Sequence, residues 1–112
     1  MSSEDRWADE EAFWTMGAAE ARRRIHPACV MVVGNRFVQG DDILAELDTG
    51  PRRGSVGISD RHVVMTEDCV VLAYRAASVR DGAEEVAFCS STWVWQSDGW
   101  HLIHHHRTDA AD

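Results

Sequence analysis

Three consecutive histidines, His104, His105 and His106, follow the apolar pair Leu102–Ile103, and ordinary sequence runs on after them to Asp112. Imidazole titrates nearest neutrality of all side chains, so such a run suits proton transfer, metal ligation or a plain strand. Strand alternation splits it. Ile103, His105 and Arg107 fall on one face, and Leu102, His104 and His106 on the other. A metal held by His104 and His106 would need a third ligand and, in a closed tetrahedral site, a fourth. His62 is a distant candidate, but no carboxylate spacing supports a site, so neither metal nor cofactor is expected. General acid–base work by His105 would need a carboxylate partner. The aspartates cluster at turns and ends, and Asp60 alone sits within a strand, so it is the one to check. Cys29, Cys69 and Cys89 are odd in number, form no CxxC pair and sit in apolar strands, which reads as buried, inert thiols.

The elements that must position these groups are legible along the chain. "SSED" supplies a serine cap and early acids, and Trp7, Trp14, Ala18, Ala21 and Ile25 recur on one face of a helix over the first 25 residues. "ARRR" at 21–24 suits the negative end of the helix dipole, and "HP" at 26–27 stops the helix. "ACVMVV", 28–33, reads as a strand, "GN" as a turn and "RFVQG" as the return. "DDILAEL", 41–47, reads as a short helix, and 48–54 as a loop. From Ser55 onward come four strands, with Asp-Gly hairpin signals at 81–82 and 98–99. The order is an α+β plan, with helices on one face of a curved antiparallel sheet and a cone-shaped cavity at its open end.

Composition narrows the partners. The 112 residues are expected to form one domain. With 45% hydrophobic and 27% charged residues, the chain reads as globular. A net charge of -8 argues against nucleic acid and anionic membrane, both of which reward a basic face. No apolar run approaches a membrane span, and the acidic start lacks a signal core, so a cytoplasmic location is expected.

"HPACVMVVGNRFVQGDDILAEL", "CVVLAYRA" and "SSTWVWQSDGWHLIHHHRT" resemble the nuclear transport factor 2-like superfamily. The nearest branches in pattern are the small bacterial SnoaL-like proteins and the association domain of calcium/calmodulin-dependent kinase II. The resemblance spans about residues 5–109, and its C-terminal hairpin is its most specific part. It implies the cone fold: a long N-terminal helix and a short helix packed on the curved sheet. It also implies that Ile103, His105 and Arg107 point into the cone, with Arg75 and Trp93 on cavity-facing positions. Trp95 shares the face of Trp93, and Trp14 looks in from the helix, flanked by Gly17, Ala18 and Ala21. Two arginines, one histidine and several indoles would suit a small anionic or aromatic ligand, because a guanidinium fork matches a carboxylate. The bland alternative pairs Arg75 or Arg107 with an acid such as Glu85 and leaves the tryptophans as core. His104 and His106 would face a second copy, giving a homodimer through the sheet. The fold hosts many functions, so two other readings stay open. One is an isomerase-, cyclase- or dehydratase-type enzyme with His105 as acid–base. The other is an oligomerisation module with a vestigial cavity.

Overall fold

A computed structural model describes residues 3–15, 18–49, 55–80, 82–97 and 99–110. Gly17, loop residues 50–54, and Asp81 and Asp98 of the two hairpin turns lie outside the described residues.

Two helical segments open the chain, α1 (Glu4–Thr15) and α2 (Ala18–Arg24). Glu4 and Asp5 occupy the first turn of α1, and Arg22, Arg23 and Arg24 the last turn of α2, each at the helix end that favours its charge. Strand β1 (Ile25–Val33) follows with no loop, so the helix ends one residue earlier than the sequence pattern implied. Pro27 lies inside β1, where pairing slips between Ile25 and Val30. Such an irregularity tolerates a residue without an N–H. Strand β2 (Arg36–Gln39) returns antiparallel to β1, and α3 (Asp41–Thr49) follows. The rest is a meander of β3 (Val56–Met65), β4 (Cys69–Arg80), β5 (Ala83–Gln96) and β6 (Gly99–Asp109).

The six strands form one sheet in the order β2-β1-β6-β5-β4-β3. All neighbours are antiparallel except β1 and β6, which run parallel. Two bulges bend it. In β3 the register shifts between Ser59 and His62, with Asp60 at φ 50°. In β6 the partners change from Trp93↔Leu102 to Thr92↔His104, which makes Ile103 the extra residue.

One sheet face is the core. Val70, Leu72, Tyr74 and Ala76 of β4, Ala87, Cys89, Ser91 and Trp93 of β5, and Leu102 and His105 of β6 are all buried. Trp7, Glu10, Phe13 and Trp14 of α1 are buried as well. The covering face of α1 is therefore aromatic with one acid in its middle. Arg6 closes the hairpin end, its guanidinium 4.6 Å from the centre of the Trp100 ring. Among the described residues, no helix is long and apolar enough to cross a membrane.

Trp93 is fully buried on the inner face, whereas Trp95, one pleat on, is 44% exposed. Trp93→Ala is expected to cost about 3–5 kcal/mol, as large core truncations do, and Trp95→Ala under about 1.5 kcal/mol. Urea denaturation of the two variants measures the difference.

Candidate functional site

The register of the meander sets rows of side chains across the inner face. Leu72, Ser91 and His105 lie in one row, and Tyr74, Cys89 and Arg107 in the next. Residue α1 Glu10 sits over the junction of these rows with no exposed surface. Its Oε2 accepts hydrogen bonds from the Tyr74 hydroxyl and, at 2.6 Å, from Ser91 Oγ. Its Oε1 accepts from Trp93 Nε1 at 2.8 Å. Trp14 Nε1 donates in turn to Tyr74 Oη at 2.8 Å. Ser91 Oγ also lies 2.6 Å from His105 Nδ1. Since Ser91 gives its proton to Glu10, the network assigns the His105 proton to Nδ1, donating to Ser91.

Burial governs the protonation of this cluster. It pushes Glu10 above the usual carboxylate range, and the hydrogen bonds from Ser91, Tyr74 and Trp93 oppose that shift without cancelling it. It pushes His105 down to about 3, helped by the positive charge of its neighbours His104, Arg107 and His106. Tyr74 is raised by burial and by the Glu10 charge. Cys29 and Cys89 are buried and pushed up to about 12, as expected of inert thiols, whereas Cys69 at the start of β4 is only half-buried, against the sequence reading. His105 is thus neutral at physiological pH. Its ring meets Phe13 edge-on at 5.0 Å and Trp14 at 6.4 Å.

Arg107 lies one row beyond His105 on the inner face, in register with Cys89 of β5 and Val33 of β1. Its side chain is 18% exposed, and its guanidinium carbon is 5.8 Å from the centre of the Trp14 ring. Two acids flank it: Glu85 Oε2 at 3.8 Å from Nη2, and Asp109 Oδ1, which accepts from Nε at 3.1 Å and Nη2 at 3.0 Å.

The structure brings together Trp14, Trp93, His105 and Arg107. It separates the other three expected residues from them. Arg75 is exposed on the outer face, in register with the exposed Phe88, because Tyr74 takes the inward position of β4. The expected pair of converging arginines is therefore a single arginine, with Glu85 beside it. Trp95 shares the parity of Trp93 but stacks edge-on with Trp100 at the exposed hairpin end, 5.8 Å between centres. Ile103 is the half-buried extra residue of the β6 bulge. Leu102 and His105 are consequently both buried on the inner face, where strict alternation had put them on opposite faces. The aspartate to check, Asp60, is exposed in the β3 bulge and lies 3.1 Å from the equally exposed His62. The carboxylate near His105 is Glu10 instead, with Oε2 3.6 Å from Nδ1 and Ser91 bridging them. Glu10 stands three residues after Trp7 and four before Trp14. An acid on the apolar stripe of a helix was the signal for it. No group of three or more potential metal ligands occurs among the described residues.

No known family profile matches the chain, and no curated protein matches it in sequence. Solved structures do resemble it. An NTF2-like protein from Cytophaga hutchinsonii superposes with a TM-score of 0.81 at 15% identity, covering 98% of this chain and 100% of that one. The CaMKII hub homology domain of Chlamydomonas reinhardtii gives 0.78 at 19% identity, covering 99% and 100%. A candidate ketosteroid isomerase from Parabacteroides distasonis gives 0.77 at 11% identity, covering 91% and 82%. The chain therefore has the nuclear transport factor 2-like fold that its sequence pattern implied.

The two buried titrating groups give opposite pH slopes. Unfolded histidine binds a proton below ~6.5, while folded His105 stays neutral to about 3. Stability from His105 is therefore lost as pH falls from ~6.5 toward 3. Folded Glu10 holds its proton to higher pH than the unfolded ~4.3, so stability from Glu10 is lost as pH rises above that value. Denaturation midpoints from pH 3.5 to 8 should show a shallower acid-side loss in His105→Asn. Glu10→Gln should gain on the wild type as pH rises. Parallel profiles would contradict both assignments.

Proposed function

We propose that this chain is a single-domain, homodimeric cytoplasmic protein that binds a small aromatic carboxylate at the open end of its cone, against Arg107 and Trp14. The observation that carries this reading is Arg107 itself. It is a mostly buried guanidinium on the inner face, beside an indole, at the edge of a polar interior. A guanidinium offers a carboxylate a planar two-donor edge, and an indole offers an aromatic ring a stacking face. Trp14, Trp93 and His105 supply the wall behind it. His105 acts there as a neutral hydrogen-bonding group, in keeping with its burial. Charge-assisted contacts to Arg107 would contribute about 1.5–3 kcal/mol each.

A second reading, an isomerase-, cyclase- or dehydratase-type enzyme, is favoured by one observation. Glu10 is a buried carboxyl whose affinity for protons is raised, joined to His105 through Ser91. Raised carboxyls of this kind serve as proton donors. In that reading Glu10, rather than His105, holds the transferable proton.

Tryptophan fluorescence titrated with a panel of carboxylates tests the first reading. Arg107→Ala is expected to weaken binding at least ~10-fold, about 1.4 kcal/mol, and to leave the fold intact. Trp100→Ala is expected to lower stability and spare affinity. Absence of binding at millimolar concentration would leave an oligomerisation module. Ketone α-proton exchange into D2O, present in the wild type and lost in Glu10→Gln, would favour the enzyme.

The dimer reading rests on the outer sheet face. A shallow cleft of about 220 Å³ opens there between Phe88, Ser90, His106 and Thr108, with Cys89 at its floor. Phe88 and Val79 are more than half exposed. Broad apolar faces of this kind are usually covered. The CaMKII hub domains among the structural neighbours support self-association. His104 is in register with Thr92 and Val30, so no acid stands opposite it, and burial and His106 lower its proton affinity. Sedimentation should give a dimer at pH 8 that weakens at pH 5, and Phe88→Asp should give a monomer at both.

A further inference from the structure

Arg107 does not wait with its binding edge open. Its Nε and Nη2 are the two donors that a carboxylate approaching side-on would use, and both already point at one oxygen, Asp109 Oδ1. The two acids around this guanidinium differ in kind. Glu85 comes from β5, is 27% exposed and stands back at 3.8 Å. Asp109 comes from β6 itself, two residues on, and its side chain is 70% exposed. The backbone at Asp109 is held in the sheet, in register with Ala87, and the next residue donates from its N–H to Val86 O at 2.9 Å. Only the Asp109 side chain has to rotate to uncover the Arg107 edge, and it rotates into solvent.

Resting on the carboxylate reading above, we propose that Asp109 is a built-in competitor for Arg107, occupying the guanidinium edge until a carboxylate ligand displaces it. The physical basis is an asymmetry of exposure. An ion pair with one largely exposed partner contributes little and is readily exchanged. The guanidinium that remains is mostly buried beside Trp14, and a free carboxylate can meet Nε and Nη2 with both of its oxygens, whereas Asp109 meets them with one. The competitor also sets specificity. A neutral isostere of the ligand cannot repay Arg107 for the lost carboxylate, so Asp109 selects for charge. It also keeps both donors of that edge hydrogen-bonded when the site is empty.

The experiment is a fluorescence and calorimetric titration of benzoate, with benzamide as the neutral control. The proteins are the wild type, Asp109→Asn, Arg107→Ala and Glu84→Gln. Glu84 is exposed and in register with Val79, away from Arg107, so its variant removes one negative charge without touching the edge. Asp109→Asn is expected to bind benzoate about three- to fivefold more tightly than the wild type, the worth of an exposed ion pair. Glu84→Gln should match the wild type, Arg107→Ala should not bind, and benzamide should bind none of them. Benzoate binding by Asp109→Asn alone would support the proposal equally. If the wild type binds benzoate through Arg107 and Asp109→Asn is no tighter than Glu84→Gln, the competitor role is overturned and the carboxylate site stands. If no protein binds benzoate, or Arg107→Ala binds it unchanged, the site and its competitor both fall.

Discussion

The carboxylate of Glu10, placed without any exposed surface between a helix and a sheet, is the constraint on which the interior depends. An unpaired charge or an unpaired polar group in such a place is costly. Here the cost is met by donors from two strands: Tyr74 of β4, and Ser91 and Trp93 of β5. Dependence runs both ways, since those buried donors would lose their acceptor if α1 moved. Sliding α1 by one turn, about 5.4 Å, would orphan both sides at once. Apolar packing alone tolerates such slips far better than a converging set of hydrogen bonds does. Docking α1 at this one position also sets Phe13 and Trp14 against His105, and Trp14 beside Arg107.

Much of the architecture was legible in the sequence because its signals are local. The charges at the helix ends and the succession of strands in the meander depend on neighbours a few residues away. The face of each strand was less legible. In β4 both parities are apolar or small, Val70, Leu72 and Ala76 on one side and Val71, Ala73 and Ala77 on the other. Nothing in that pattern marks Tyr74 rather than Arg75 as the inward residue, and the long-range hydrogen bond to Glu10 decides it. In β6 alternation put His105 with Arg107 and apart from His104 and His106, but it could not see the bulge at Ile103. A bulge is defined by the partner strand, and the extra residue shows only once Trp93 is set against Leu102 and Thr92 against His104.

Glu10 escaped for a different reason. Acids in the first turns of a helix are favoured by its dipole, and one more carboxylate in an acidic stretch reads as solvated. Only the aromatic residues on either side of it, at helical spacing, set it apart. The same holds for the histidine run. Three identical side chains in sequence have three different environments, because a strand turns successive residues to opposite faces. His105 is sealed inside beside Phe13 and Trp14, while His104 and His106 lie on the outer face with part of their surface open.

The electrostatics of the interior bear on whether an anion can enter at all. A fully ionised Glu10 would repel a carboxylate arriving at Arg107 on the same inner face, through a medium that screens weakly. Burial raises the proton affinity of Glu10, and the donors from Tyr74, Ser91 and Trp93 converge on its oxygens and stabilise the charge it carries when ionised. Burial also keeps His105 neutral, so the histidine adds no positive charge to anchor the ligand deeper in the cone. Arg107 is then the fixed cation of the proposed site, and the place of a ligand would follow from it. In the proposed site the charged end of the ligand would meet Arg107, whose side chain keeps some exposed surface. The carboxylate that docks α1 and the anion proposed at Arg107 would then have separate partners, since Tyr74, Ser91 and Trp93 hold Glu10 and Arg107 would hold the ligand.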